Sequence, residues 1–455
     1  MKKISKVLVL VLSAIMVLAM SASVFAATIR VKNVIDGETY TAYKILNYTT
    51  NGSAYSYYLT ADEYTAIGSV LEGAGFEFTA SSDGTRYTLN NAESVDVAGA
   101  AEYLHDHVAD LGNALGKAEA VAADGKADFG DLDTGYYFVT TTAGSLCALH
   151  SETSIETVVE KNTVPTVDKK EKTSGDNFVD GPVDANIGDT VHYQIVVTDG
   201  TGTDKAITLT DTMSAGLDYT AGSLKINGNA VADDADTDNW KVTVSGRTIT
   251  IVLKAAYVAS LDADATVTIT YDATINENAV VDSDEDNENK VVLTYSQQSS
   301  EDKVYVETYD FLVKKTDGKE FLDGAEFKLY DAATDGNQII LSKDNTGYYK
   351  DDNGSADTTI DINSADGCNV RGLAPGTYYL EEVVVPDGYN QLNERKAVTI
   401  TSGATKAVEI TIENQAGAIL PTTGGIGTTI FYILGSALVI GCGSVLISRK
   451  RMNNK

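Results

Sequence analysis

From Thr28 to Asn414 the chain is written mostly in short runs of Val, Ile, Thr and Tyr, broken by Gly, Asn and Asp. Runs such as "TVHYQIVVT", "RTITIVLKA", "TVTITYDAT" and "AVEITIENQ" alternate apolar with polar residues. A strand satisfies that period of two and a helix does not, so the body reads as mainly β. One stretch departs from it. "VAGAAEYLHDHVADLGNAL", Val97 to Leu115, spaces its apolar residues by three and four and predicts a helix. The length exceeds what one core supports and predicts about three domains of roughly 100–150 residues each. Pro165 interrupts strand pairing and marks one boundary. The polar stretch "YSQQSSEDKVYVETYD" marks the other. The predicted domains are 27–164, 165–305 and 306–416, β-sandwiches in series.

The two ends are of another kind. Residues 1–26 place Lys2, Lys3 and Lys6 before an apolar run, Val7 to Met20, and close on small residues at Ala26. That is the pattern of a cleaved secretory signal peptide. At the other end, Ile426 to Ser448 is apolar and uncharged, long enough to cross a bilayer at roughly 20 residues per crossing. Arg449, Lys450, Arg451 and Lys455 follow it and place the tail on the cytoplasmic side. The body is therefore expected outside the cell.

Formal net charge is −31, and the two end segments carry only basic residues, so the body between them is more acidic still. Such a body repels nucleic acid and anionic lipid and excludes both as partners. Cysteine is nearly absent. Cys442 lies in the apolar span, and Cys147 and Cys368 fall in different predicted domains, so no bridge between them is expected. An extracellular chain without disulfides needs another staple.

Alternation supplies a candidate. Side chains i and i+2 share a strand face. In "YDFLVKKTDGK", Phe311 and Val313 share theirs with Lys315. In "YYLEEVVVP", Tyr378, Leu380 and Val384 share one with Glu382. In "AVEITIENQ", Val408, Ile410 and Ile412 share one with Asn414. The middle domain repeats the set. Lys169 lies with Val167, Asp211 with Leu209 in "ITLTDTM", and Asn289 with Val291 in "NKVVLTY". An amine, a carboxyl and an amide on core faces have a chemistry together. Burial favours the neutral amine and the neutral acid. A neutral amine is a nucleophile, and a protonated acid polarises an amide carbonyl and shuttles protons. The product is a Lys–Asn isopeptide bond with loss of ammonia. Ordinary strand-end charges, solvated or paired, are the alternative reading.

With these residues in view, the chain resembles, over essentially its full length, the backbone (shaft) pilins of Gram-positive sortase-assembled pili. "LPTTG", Leu420, Pro421, Thr422, Thr423 and Gly424, followed by a span and a basic tail, resembles a cell-wall sorting signal spanning 420–455. "YYLEEVVVPDGY" resembles the pilin E-box. With "VKKTDGKEFLDGAEFKLY" and the strand ending at Asn414, it resembles a collagen-adhesin B-type domain. The "VDKK", "LTDTM" and "NKVVLTY" series resembles a fimbrial isopeptide domain. "GETYTAYKIL" and "LDTGYYFVTTTAGSL" resemble the N-terminal domain of such pilins.

The resemblance implies three Ig-like, collagen-adhesin-type sandwiches and a surface protein anchored to the cell wall. It implies cross-links Lys315–Asn414, served by Glu382, and Lys169–Asn289, served by Asp211, with Lys170 as the substitute for Lys169 if a bulge shifts the register. A pilus-specific class C sortase would cleave between Thr423 and Gly424 and pass Thr423 to a lysine of an identical subunit, building a covalent head-to-tail polymer. A housekeeping sortase would join the fibre to peptidoglycan, and tip and basal pilins would complete it. The acceptor lysine favoured here is Lys161. Lys161-Asn162 matches the second half of the Tyr-Pro-Lys-Asn pilin motif, while Val159-Glu160 stands where Tyr-Pro is usual. Lys169 and Lys170 remain its alternatives. In the first domain no triad stands out, and Lys32 reads as solvated.

Other functions fit less well. A monomeric wall-anchored adhesin would share everything but the need for Lys161. A secreted hydrolase lacks its signatures: there is no HExxH, and no GxSxG. The acidic run "DSDEDNEN", 282–289, lacks the spacing of a Ca²⁺ loop and reads as a solvated loop. No enzyme activity with turnover, no cofactor and no metal are expected.

Overall fold

In a computed structural model of the chain, the residues described are 27–51, 54–112, 115–142, 144–150, 156–160, 162–175, 177–281, 287–417 and 426–452. The signal-peptide residues lie outside them. The chain is mainly β, arranged as three successive groups of sheets and a final apolar helix.

The first group is built on a seven-stranded sheet whose long strand Thr39–Thr50 pairs with Tyr55–Thr60, Lys117–Val121 and Gly135–Thr141. Both faces of this sheet are covered. Phe138 faces a cluster with Ile67 and Leu71 of the helix Ala61–Gly73 and Ala100, Ala101 and Leu104 of the helix Val97–Asp106. Tyr137 and Val139 face the opposite cluster, with Ile29, Val31 and Phe129 of a small three-stranded sheet. Double coverage explains why 137–141 is a buried run rather than an alternating one. Lys32, at the end of the strand Ala27–Lys32, is exposed.

Two helical features differ from the sequence reading. The helix expected over 97–115 is two pieces, Val97–Asp106 and Val108–Leu111. His107 sits between them with non-helical backbone, its ring stacked 4.0 Å from Tyr103 and hydrogen-bonded to the Tyr103 carbonyl. The helix Ala61–Gly73 was not expected. Its start is a capping box, in which Glu63 N–H donates to the Thr60 hydroxyl and the Glu63 carboxylate accepts from Thr60 N–H at 2.7 Å.

The middle group is a sandwich of two six-stranded sheets. Thr166–Lys172, Thr190–Thr198 and Thr266–Ile275 lie side by side in one; Gln298–Glu307, Glu288–Tyr295, Ile207–Met213 and Thr248–Leu253 lie in the other. Tyr193, Ile195 and Val197 of the first sheet share a core with Leu209, Val291 and Leu293 of the second. The polar stretch expected as a boundary is itself ordered: Gln298–Glu307 is a full strand of this sandwich. The chain enters the next group directly, at the strand Tyr309–Thr316.

The third group pairs two five-stranded sheets around Phe311, Phe327, Leu380 and Ile412. Its first and last strands, Tyr309–Thr316 and Val408–Glu413, run parallel as neighbours, with Lys315 opposite Ile412. Glu382 is buried with Tyr378 and Leu380, but Val384 is exposed rather than on their face. The pairing with Ala325–Tyr330 shifts register between Glu326 and Phe327, and the bulge turns Val384 outward.

The junctions between groups are polar and specific. The buried Glu38 carboxylate of the first accepts from Ser296 Oγ at 3.0 Å and Gln297 N–H at 3.2 Å in the second. His105 meets Asp204 at 2.7 Å. Between second and third, Ile187 N–H donates to the Gly372 carbonyl at 2.9 Å, and Arg371 donates to the Glu277 carbonyl at 2.7 Å. Gly372 has φ +79°, and a Cβ there would lie 2.2 Å from Ile187 Cδ1, so glycine is required at this contact.

The final helix, Ile426–Met452, contains the apolar stretch Ile430–Met452, with mean hydropathy 2.3 and the basic residues in its last turn. Length and composition suit a membrane crossing.

Candidate functional site: two buried amine–acid–amide clusters

Six of the residues singled out by alternation fall into two groups of three. In the middle sandwich the strand Thr166–Lys172 is an edge of one sheet and crosses over the strand Gln298–Glu307 of the other, whose Asp302 accepts from Lys169 N–H at 2.6 Å. Lys169 points into the core, 1 % exposed. Lys170 points away and pairs with Asp180 at 3.0 Å. The register is therefore unbulged at this point, and Lys169, not Lys170, is the buried amine.

Lys169 Nζ donates to Asp211 Oδ2 and to Tyr271 Oη, the latter at 2.9 Å. Tyr271 donates in turn to Asp211 Oδ1 at 2.7 Å and accepts from Asn289 Nδ2 at 2.7 Å. Asp211 and Asn289 reach this point from the adjacent strands Ile207–Met213 and Glu288–Tyr295. The rings of Tyr193 and Tyr271 stand 5.2 and 5.3 Å from Nζ and exclude water. Burial pushes the Lys169 amine below its ordinary value, against the opposing pull of Asp211. The neutral, nucleophilic form is favoured accordingly.

In the third sandwich Lys315 is 2 % exposed and donates to the Ile412 carbonyl at 3.2 Å. Asn414 continues the last strand, its N–H bonded to the Thr316 carbonyl. Its Nδ2 donates to both Glu382 oxygens at 2.9 Å and to the Asn390 carbonyl at 2.9 Å. Leu392 N–H holds Glu382 Oε2 at 2.9 Å. Burial lowers the Lys315 amine, with Glu382 pulling the other way.

The clusters share one further feature. Asn289 Oδ1 and Asn414 Oδ1 are buried with no hydrogen-bond partner among the described residues. In each site the amide nitrogen is held and the carbonyl oxygen is left unpaired, a costly arrangement in a core. It leaves that oxygen open to a proton when an amine adds to the carbonyl carbon.

Two residues of the middle cluster were missed in the sequence. Tyr271 alternates with Ile269 and Ala273 in "TVTITYDAT", so the position reads as core. Glu171 lies two residues after Lys169 on the same face, and is fully buried. Its signal was the same as that of Lys169. Among the described residues no group of His, Cys, Asp and Glu is arranged to hold a metal. Lys161 and the five residues 420–424 lie outside the described residues.

Comparisons with known proteins describe the domains that carry these residues. A SpaA-type prealbumin-like fold domain matches residues 309–416, an Sgo0707 N2 domain matches 177–309, and an LPXTG cell wall anchor motif matches 412–454. No curated protein matches the chain in sequence. Among solved structures, the three-domain T6 backbone pilin of serotype M6 Streptococcus pyogenes is similar at 18% identity and TM-score 0.54, over 84% of this chain and 81% of that one. The full-length pilus protein RrgB of Streptococcus pneumoniae aligns at 13% identity and TM-score 0.47, over 88% of this chain and 100% of that one. The major pilin BcpA of Bacillus cereus aligns at 16% identity and TM-score 0.41, over 86% and 99%. The anchor motif with its apolar helix implies sortase processing and attachment to peptidoglycan. The chain is a cell-wall-anchored surface protein that carries a SpaA-type prealbumin-like domain and an LPXTG anchor motif on a fold like that of a Gram-positive backbone pilin.

Proposed function

We propose that the chain is the shaft subunit of a covalent surface pilus. A sortase cleaves it between Thr423 and Gly424, and Lys161 of the next subunit takes the released Thr423 carboxyl. Each of the domains 165–305 and 306–416 is stapled by one Lys–Asn isopeptide bond, Lys169–Asn289 and Lys315–Asn414. Asp211 and Glu382 serve as the acids of that one-time closure. The observation that carries this reading is the pair of buried amine–acid–amide clusters. Two lysines fully buried in an acidic, disulfide-poor extracellular chain are expensive unless they are consumed in bonds. Staples that tie the start of a domain to its end suit a chain that carries tension from subunit to subunit.

A wall-anchored monomer would need the staples but not Lys161. The two readings separate on cells of the source organism. Wall extracts of a shaft subunit give a ladder of SDS-resistant species, and Lys161→Ala collapses it to the monomer. A ladder unchanged by that substitution removes Lys161 from the scheme, and no ladder from the unaltered chain removes polymerisation.

A further inference from the structure

The two clusters use the same residue types but connect them differently. In the third sandwich the acid touches the amide nitrogen directly, through both oxygens of Glu382. In the middle one it does not. Asp211 Oδ2 is occupied by Lys169 Nζ and Oδ1 by the Tyr271 hydroxyl; the amide nitrogen of Asn289 donates to that hydroxyl at 2.7 Å, with the Tyr193 hydroxyl also beside it, and makes no direct bond to the carboxylate among the described residues. An acid that must protonate a departing nitrogen it does not touch needs a carrier.

We propose that the Tyr271 hydroxyl is this carrier, a proton relay between Asp211 and the leaving nitrogen of Asn289. The inference rests on the reading of Lys169 and Asn289 as a cross-linking pair. Lys169 Nζ adds through its lone pair to the Asn289 carbonyl carbon, and a new C–N bond forms. An Nζ proton passes to Asp211 Oδ2. As the amide nitrogen loses conjugation it gains a lone pair, and the Tyr271 hydroxyl turns its proton from Asp211 toward it. The Asp211 carboxyl then turns and returns to the tyrosine oxygen the proton it took on Oδ2, and the carbonyl re-forms. The C–Nδ2 bond breaks and ammonia leaves. One proton has moved from Nζ to Nδ2, and Asp211 and Tyr271 end as they began. The oxygen is placed for the task, at 2.9 Å from Nζ, 2.7 Å from Oδ1 and 2.7 Å from Nδ2, on a residue 1 % exposed. Burial holds the phenol well above its ordinary value, so it passes a proton on rather than giving one up.

Tyr271→Phe tests this, because it keeps the ring and its stacking on Tyr193 and removes only the hydroxyl. The full-length chain is made by cell-free synthesis in detergent, sampled with time and digested, and the two cross-linked peptides are quantified by mass. The Lys169–Asn289 link is expected to form about a hundredfold more slowly in the variant, the scale of one proton-transfer group, with the Lys315–Asn414 link unchanged. A middle link formed at the unaltered rate overturns the relay. Absence of that link from the unaltered chain at all times instead overturns the cross-link reading on which it stands. If Tyr271→Phe does not fold, 3-fluorotyrosine placed at 271 decides, since it keeps the hydroxyl but makes it more acidic. A pH profile of link formation displaced toward lower pH supports the relay, and an unmoved profile overturns it.

Discussion

The middle and third sandwiches solve one problem with opposite wiring. Around Asn414 the acid grips the amide and leaves the amine on a backbone carbonyl. Around Asn289 the acid grips the amine and leaves the amide to a tyrosine. The difference follows from which strands bring the groups together. Lys315 and Asn414 come from parallel neighbours in one sheet, and Glu382 approaches from the facing sheet. Lys169 comes from the edge of one sheet, while Asp211 and Asn289 sit on neighbouring strands of the other. What the two keep in common is a buried neutralisable amine, a held amide nitrogen and an unpaired amide oxygen. Those are the elements the chemistry requires. The route of the proton is free to differ.

The sharpest way to break the comparison is to remove an acid. Glu382→Ala is expected to leave the third sandwich unlinked and restore one ammonia to the intact mass. Closing nearly the whole domain into one loop stabilises by about 5 kcal/mol on a chain-entropy scale, so the thermal midpoint of that domain should fall by many degrees. Asp211→Ala should do the same to the middle domain alone. If either variant keeps its link, the acid in that domain is not the one named.

A smaller effect is expected at Glu171, which has no counterpart in the third cluster. Its carboxyl is buried, and burial pushes it up from 4.5 to about 9 against the weaker opposing pull of the Val183 and Tyr305 backbone and of Lys169. The folded state therefore holds a proton that the unfolded chain releases. Its contribution to stability is complete below pH 4.5 and is lost as pH rises toward about 9. Glu171→Gln keeps the neutral shape and removes this dependence. The variant should match the unaltered chain at pH 4 and exceed it at pH 8 in thermal midpoint. Equal pH slopes in the two proteins would show that Glu171 is ionised in the fold. The smallest effect is expected at Lys170, whose partners Asp180 and Asp168 are on the surface. Lys170→Ala should leave both the mass deficit and the midpoint unchanged. A lost link in that variant would mean that the register assigned to the strand Thr166–Lys172 is wrong.

Much of this was legible from alternation alone. The period of two put Lys169, Asp211, Asn289, Lys315, Glu382 and Asn414 on core faces, and all six are buried. It separated Lys169 from Lys170 and Lys315 from Lys314 because a one-residue step changes the face. It misplaced Val384, because the extra residue Val383 bulges within its own strand, and only the register against Ala325–Tyr330 reveals that bulge. It was silent on which strands meet, and so on the wiring, because pairing between Val167 and Val197 or Leu209 and Leu293 is a long-range fact. Tyr271 was visible only as an apolar position, its hydroxyl acquiring meaning from three groups on three other strands. In the first group the signals were weaker again. The capping box at Thr60 was in the sequence and unread, and the run 137–141 lost its alternation because both faces of its sheet are covered.

The central claim is that the buried clusters close into bonds, and intact mass of the secreted, folded body measures it most directly. Two ammonia molecules fewer than the sequence requires, with peptides joined Lys169 to Asn289 and Lys315 to Asn414, is the predicted result. A full sequence mass would contradict it, and would leave two charged or neutral lysines held in protein cores with nothing to show for their burial.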